Sequence, residues 1–391
     1  MFSLPLKATD TLTWVSVENT SYNYYMQGDW KNLGSFCDHA IANGFDYYLI
    51  RVRAGIAWFE QKAYRKATLH FEKAIEFNST DFAKEYLYYC FIYTERYEDA
   101  RYLSKSFDTL FLASLIIKQK PIAFVGIEGG LKLSSESKSY NNALFGQINL
   151  SHYLSGGMPL FHALSYYSQD EWRFSVMQYQ YYLQIKPTLK KNLQLSAAGH
   201  FVYSDVSIYD TVYVEPPPVK KEPYLTKTQT LGFIGSIRLN RHTPLFDYSI
   251  GSTGMLLDTA TQYQLNSGIS WFPFKNNRLA IGGNFYLHAL NDLTDISIAY
   301  APSVSAYLSN RFQLSASYFT NNGYNITEHN GYFVNNSVDR TSSRWLITGT
   351  LAVSNKIHLY GSYVFENKIA TSINTLYNYQ VLMIGIRLIP R

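Results

Sequence analysis

No stretch of about eighteen consecutive apolar residues occurs in this 391-residue chain, which excludes a transmembrane helix on length. Cysteine is scarce. Cys37 and Cys90 are the only two, both sit in the N-terminal part at helix positions where small apolar residues pack, and burial rather than a bridge is expected. Charge runs are missing as well: the formal net charge of +5 is spread along the chain, so no nucleic-acid partner is expected. Neither HExxH nor CxxC occurs, so no metal and no other cofactor is expected. The glycines of IEGGLK open no helix and do not make a phosphate cradle; they relieve crowding in a strand. The opening MFSLPLKATD has neither a basic start nor a long apolar centre, so the chain reads as mature or as starting inside the end of a signal.

What remains would pass for a soluble protein, with a mean hydropathy of −0.17 and 16% charged residues. Aromatics depart from that picture: 17% of residues, with 35 tyrosines, exceed the needs of a globular core and fit amphipathic rings at membrane interfaces. The order of residues departs further. In RFQLSASYFT, Phe312, Leu314, Ala316 and Tyr318 alternate with Arg311, Gln313, Ser315 and Ser317. YQLNSGISW and RWLITGTLAVS repeat the pattern, with Tyr263, Leu265, Ile269 and Trp271, or Trp345, Ile347, Leu351 and Val353, on the apolar side. The polar sides carry small or hydrophilic residues rather than long solvated charges, as a confined lumen would. In a membrane barrel the apolar side faces lipid.

A different period governs the N-terminal part. Tyr24, Gly28, Trp30, Leu33, Cys37 and Ala40 are matched about 34 residues later by Trp58, Lys62, Tyr64, Ala67, Phe71 and Ala74, and a third copy begins with Phe91, Tyr97 and Ala100. These residues resemble the tetratricopeptide repeat, most clearly in AGIAWFEQKAYRKATLHFEKAIEFN. The resemblance implies helix pairs stacked into a short solenoid over residues 1–120, with a concave surface that docks a partner protein. Tyr24, Trp30, Trp58, Tyr64, Phe71 and Tyr97 are the candidate partner-binding residues.

From Pro121 onward strand signals take over, and residues 121–391 are expected to form a transmembrane antiparallel β-barrel of about fourteen strands, with twelve as the alternative. The long connections, SDVSIYDTVYVEPPPVKKEPYLTK, NNGYNITEHNGYFVNNSVDRTSS and NKIATSINT, all follow odd-numbered strands, and the intervening turns are short. With a periplasmic N-terminus these become outer loops, and the helical repeats hang in the periplasm of a bacterial outer-membrane protein. Pro216, Pro217 and Pro218 are read as a stiff extended segment.

The same register turns Lys186, Arg238, Arg278, Arg311 and Arg387 inward at the periplasmic end. They form a basic collar that either attracts anions or merely solvates the pore mouth beside Asp247 and Glu128. His200, His288 and His358 also project inward. Ser151 and His152 point to opposite faces of one strand with no orienting partner, so no enzymatic activity is expected.

In domain order the whole chain resembles the YaiO-like barrel proteins and the repeat-bearing exporters of poly-N-acetylglucosamine and cellulose. Three functions follow. The preferred one is an accessory or scaffold subunit of an envelope secretion or outer-membrane biogenesis complex, its barrel in outer-membrane lipid and its repeats on other envelope proteins. A channel for a polysaccharide or a small solute is the alternative, and a lipid-modifying barrel enzyme is the third.

Overall fold

A computed structural model of the protein describes residues 12–115, 120–135, 140–154, 157–171, 174–211, 223–257, 260–290, 295–321, 325–334, 339–370 and 375–390. The opening decapeptide and the triple-proline segment lie outside the described residues. The chain divides into two compact units, Met1–Ile117 with Phe274–Asn277, and Lys118–Pro273 with Arg278–Arg391.

Among its described residues the first unit has seven helices: α1 (Trp14–Gln27), α2 (Trp30–Ala42), α3 (Tyr48–Glu60), α4 (Tyr64–Phe77), α5 (Asp81–Tyr93), α6 (Tyr97–Ser104) and α7 (Thr109–Ser114). Their starts are set locally. The side chains of Thr13, Asp29, Thr80 and Asp108 each accept a hydrogen bond from a backbone N–H in the first turn of the helix that follows. Odd helices begin at 14, 48 and 81 and even ones at 30, 64 and 97, so each pair repeats after 34 and then 33 residues. Small residues let neighbouring helices approach: a methyl group on Gly55 would stand 2.7 Å from the ring of Phe71, which is fully buried.

An acid network ties α2 to α3 and α4. Asp38 accepts from Lys66 and from Trp58 Nε1 at 3.4 Å and lies 3.1 Å from His70 Nε2, while the Lys66 ammonium lies 3.5 Å from the Trp58 ring centroid. Burial alone would raise the Asp38 carboxyl, but the hydrogen bonds and charges of His70 and Lys66 hold it below its usual value. Burial pushes His70 below the ordinary imidazole value, against the pull of Asp38. Burial likewise lifts the thiol of Cys37 to about 12, and Cys37 and Cys90 are both free and buried.

The second unit is a meander with, among its described residues, seventeen strands: β1 (Ile122–Ser134), β2 (Tyr140–Tyr153), β3 (Pro159–Glu171), β4 (Phe174–Ile185), β5 (Thr188–Lys190), β6 (Leu193–Thr211), β7 (Pro223–His242), β8 (Phe246–Leu257), β9 (Ala260–Trp271), β10 (Leu279–Leu290), β11 (Asp295–Tyr307), β12 (Phe312–Asn321), β13 (Thr327–Glu328), β14 (Phe333–Val334), β15 (Arg340–Ala352), β16 (Ile357–Ala370) and β17 (Thr375–Leu388). Fifteen share one sheet, and β5 is a three-residue extension beside β6, which leaves fourteen staves. Each stave pairs antiparallel with its neighbours along the chain, and β1 pairs with β17 from Val125 opposite Leu388 to Ser134 opposite Tyr379, so the barrel is closed. Closure leaves no sheet edge, as a wall in hydrocarbon requires.

Alternation sets inside from outside. On β9, Leu265 is 58% exposed on the outer face while Gln264 beside it is 2% exposed on the inner one. Ile250, Ile347, Leu351 and Ile384 extend the outer apolar band, and on β12 Leu314 and Tyr318 look outward as the alternation predicts, with Phe319 turned in. Phe246, Tyr248 and Trp271 flank the band near the end with short turns; Tyr263 and the Tyr318–Trp345 pair, ring centroids 4.6 Å apart, flank it toward the other. So continuous an exposed apolar belt belongs in lipid.

Two predictions follow from these units. Leu265→Arg places a charge mid-strand on the outer face and is expected to cost roughly 2–4 kcal/mol in folding titrations into lipid vesicles; a variant as stable as the parent would remove lipid from that face. In the helical unit, both depressed groups bind protons more readily when unfolded, so their contributions are present at neutral pH. They are lost as pH falls, first below about 6.5 for His70 and then below about 3.9 for Asp38. The helical circular-dichroism signal of the full chain in detergent should therefore melt at lower temperature as pH falls, and Asp38→Asn should flatten the more acidic part of that slope. Melting that ignores pH would show the network adds nothing.

Candidate functional site

The feature that organises the lumen is the connection between β12 and β15. The alternation of the staves places NNGYNITEHNGYFVNNSVDRTSS outside as a loop; instead its described part, residues 325–334, folds inward and crosses the barrel. Thr327 and Glu328 pair with Val334 and Phe333 in a small hairpin. His329, Asn330 and Gly331 between them all have positive φ, at 51°, 60° and 77°, a run that Asn and Gly tolerate well. Gly331 is required doubly, since a methyl group there would also stand 3.0 Å from Ile234 of the wall.

Wall side chains hold this hairpin by its backbone. The Gln264 amide donates to Thr327 O at 2.8 Å and accepts from Thr327 N at 3.0 Å. His200 Nδ1 donates to Gly331 O at 2.7 Å, and Ser236 Oγ donates to Asn330 O at 2.6 Å. Gln147 donates to the Tyr332 hydroxyl, and the Tyr332 ring packs edge-on against Phe161 and Tyr182, with centroids 5.7 and 5.0 Å apart. Ile326 is buried among Tyr286, Ala299, Ala301 and Phe319. Gln264 on β9 and Gln147 on β2 are six steps apart along β9-β8-β7-β6-β4-β3-β2, so the hairpin bridges nearly opposite walls.

A charged pair anchors its base. Glu328 accepts from Arg344 of β15, and both are buried. The Arg344 guanidinium also lies 5.0 Å from the Phe319 ring centroid and 4.6 Å from that of Phe333. Nearby, Glu366 lies 3.6 Å from Lys132 and 4.0 Å from Lys368, and it accepts from Thr341 at 2.9 Å. Buried charges of both signs are thus paired, as a narrow lumen demands.

Of the collar residues, Lys186, Arg278 and Arg311 stand just beyond the ends of β4, β10 and β12, with Arg278 and Arg311 exposed. Arg387 is one residue from the end of β17, its guanidinium 4.3 Å from the Phe124 ring centroid. Arg238 does not join them: it lies deeper on β7, donating to Ser249 and, at 2.8 Å, to Asn284. The five collar residues are thus four at the strand ends and one arginine, four residues in from the end of β7, bound to the wall. Asp247 pairs with His242, and Glu128 accepts from Gln147 and Tyr360 while feeling the charge of Arg387. His200, His288 and His358 lie on the inward-facing positions of their strands, with His200 committed to the hairpin. Among the described residues no group of three metal-ligating side chains occurs.

In the helical unit, Tyr24, Trp30, Trp58 and Tyr64 are partly buried between helices. Tyr24 packs on Phe36, Trp30 on Tyr25, Trp58 over Gly34, and Tyr64 on Phe59. Phe71 is wholly buried and stacked on Tyr86, so it is a core residue with no surface to offer a partner, which corrects that expectation. Tyr97 is 44% exposed at the start of α6.

No family model matches the chain, and no curated protein does. Solved structures with similar architecture include the CymD monoaromatic hydrocarbon channel (TM-score 0.49, 10% identity, covering 70% of this chain and 89% of that one). Others are the Pseudomonas putida toluene transporter TodX (0.45, 8%, 68% and 88%) and a bacterial polysaccharide outer-membrane secretin (0.40, 8%, 70% and 100%). At that identity the function has to be read from this chain's own residues.

The base of the hairpin supplies a test. Glu328→Leu leaves Arg344 without its hairpin partner, and breaking a buried pair in this way costs about 3–5 kcal/mol. Amide protection in 325–334 should collapse while the staves keep theirs, measured by hydrogen exchange in detergent. Unchanged protection would mean that the backbone contacts alone hold the hairpin.

Proposed function

We propose that this protein is a gated channel of the bacterial outer membrane, closed by its own hairpin and passing small hydrophilic solutes. One observation carries the reading: residues 325–334 span the lumen between nearly opposite walls, held through their backbone by the neutral side chains of Gln264, His200 and Ser236. The closed barrel with its outward apolar band supports the location. A bridged lumen favours small solutes over an extended polysaccharide.

Residues 1–120 are proposed as a periplasmic docking domain, separate from the barrel of 121–391, that brings an envelope protein to the channel. The 33- to 34-residue recurrence of the helix pairs and their resemblance to tetratricopeptide repeats support this. It also favours a second reading, in which the barrel only anchors a scaffold for a secretion or biogenesis complex.

Planar-bilayer recording separates the two. The parent protein should show rare, brief openings, and a variant with residues 325–334 replaced by a Gly/Ser linker of equal length should conduct steadily. A folded variant that never conducts, judged by its strand signal and heat-modifiable mobility, would leave the anchor reading in place of the channel.

A further inference from the structure

We infer that the β8–β10 face of the lumen is a binding site for neutral polyhydroxylated solutes, short oligosaccharides in chemical class, and that the hairpin occupies the solute's place when the channel is closed. This deepens the channel reading and rests on it.

The face is built from amides and hydroxyls in register. Thr253, Gln264 and His288 make one row across the three strands, and Asn266 with Tyr286 lies in the next. Their outward neighbours, among them Tyr263 and Leu265, look to lipid, so these side chains look into the lumen. All are buried, yet several lack a protein partner: both amide atoms of Gln262, Oδ1 of Asn266 and Oγ1 of Thr253. Gln262 is 0% exposed. A wholly buried amide with neither donor nor acceptor used is costly in a folded protein, and its retention points to a ligand that uses both.

The chemistry selects the ligand. A primary amide donates and accepts from one planar group, which matches a hydroxyl that also does both, whereas a phosphate or carboxylate offers only acceptors. Of the two arginines nearest, Arg344 is ion-paired with Glu328, and Arg238 is tied to the wall through the neutral side chains of Ser249 and Asn284. An apolar solute would leave the amides unsatisfied. Tyr286, almost fully buried in the same face, offers a flat ring for the C–H side of a sugar.

The hairpin already imitates such a ligand. Gln264, adjacent in the row, both donates to and accepts from Thr327, using a backbone amide as it would use a pair of hydroxyls. Displacing the hairpin frees Gln264 to join Gln262 and Asn266 in a line of amides spaced about 6.8 Å apart along β9, two residues at strand rise.

Isothermal titration of maltotriose into the detergent-solubilised full chain tests this, using a linker variant of 325–334 that retains Glu328, so that the face is cleared while Arg344 keeps its partner. The variant should bind at least tenfold more tightly than the parent, and inorganic phosphate should not compete. Adding Gln262→Leu should weaken binding at least tenfold without lowering thermal stability, because the substitution removes an unpartnered buried amide rather than a contact. No maltotriose binding by the linker variant, or binding indifferent to Gln262→Leu, would overturn the inference whatever the conductance. Binding of the expected pattern in a protein that never conducts would keep the site and reject the channel.

Discussion

In hydrocarbon a backbone N–H without an acceptor has no water to turn to, and everything in the barrel follows from that shortage. It forces closure, which β1 and β17 supply along ten paired residues. Closure forces alternation to carry the inside–outside distinction, because each stave has one face in lipid and one in a confined interior. Confinement then makes every inward polar atom expensive unless partnered, at about 1–3 kcal/mol for each one left unmade. The inward hairpin answers part of that demand: Gln264, His200 and Ser236 find partners in its backbone.

Alternation is a local property, and that is why so much of the barrel was legible. Leu265 against Gln264 and Trp345 against Arg344 face as their positions in the pattern require, since a one-residue slip would turn every side chain to the wrong medium. Strand signals gave about fourteen staves, with twelve left open, and the long connections after odd-numbered strands agreed with that order. In the helical unit the spacing from Tyr24 to Trp58 and from Trp30 to Tyr64 carried the repeat, because each pair packs on its neighbour through the same positions.

What was not legible depends on contacts distant in sequence. ITEHNGYFV contains an Asn-Gly turn signal between short apolar runs, enough to announce a hairpin but silent on which side of the wall it lies. Only the joint presence of Gln264, His200 and Gln147 on different staves gives it an interior address. Phe71 failed for the opposite reason: the repeat pattern marks it strongly, but a pattern kept by helix packing marks cores, and Gly55 lets its ring be covered completely. Arg238 was placed on the right face but at the wrong depth, since its partners Ser249 and Asn284 come from β8 and beyond β9.

The chemistry of the lumen changes along its length, and the change bears on how the hairpin can be both tight and releasable. Charges gather where β15, β16 and β1 approach the longer connections: Arg344, Glu366, Lys368 and Lys132. Elsewhere the wall is dominated by neutral side chains, with Gln262, Gln264, Asn266, Gln147 and Asn149 buried there beside Glu128 and Arg238. The hairpin meets both regions, its base on Arg344 and its strand and turn on amides, a hydroxyl and an imidazole. Ionic contacts in low dielectric are strong but costly to leave half-made, so they fix one end. Neutral hydrogen bonds contribute about 0.5–1.5 kcal/mol net each and can be exchanged for equivalent bonds to water or a hydroxylated solute at little cost. A segment bound in this way is pinned at Glu328 and exchangeable at Thr327, Asn330 and Gly331, so a solute competes with the hairpin bond by bond rather than against the whole of it at once.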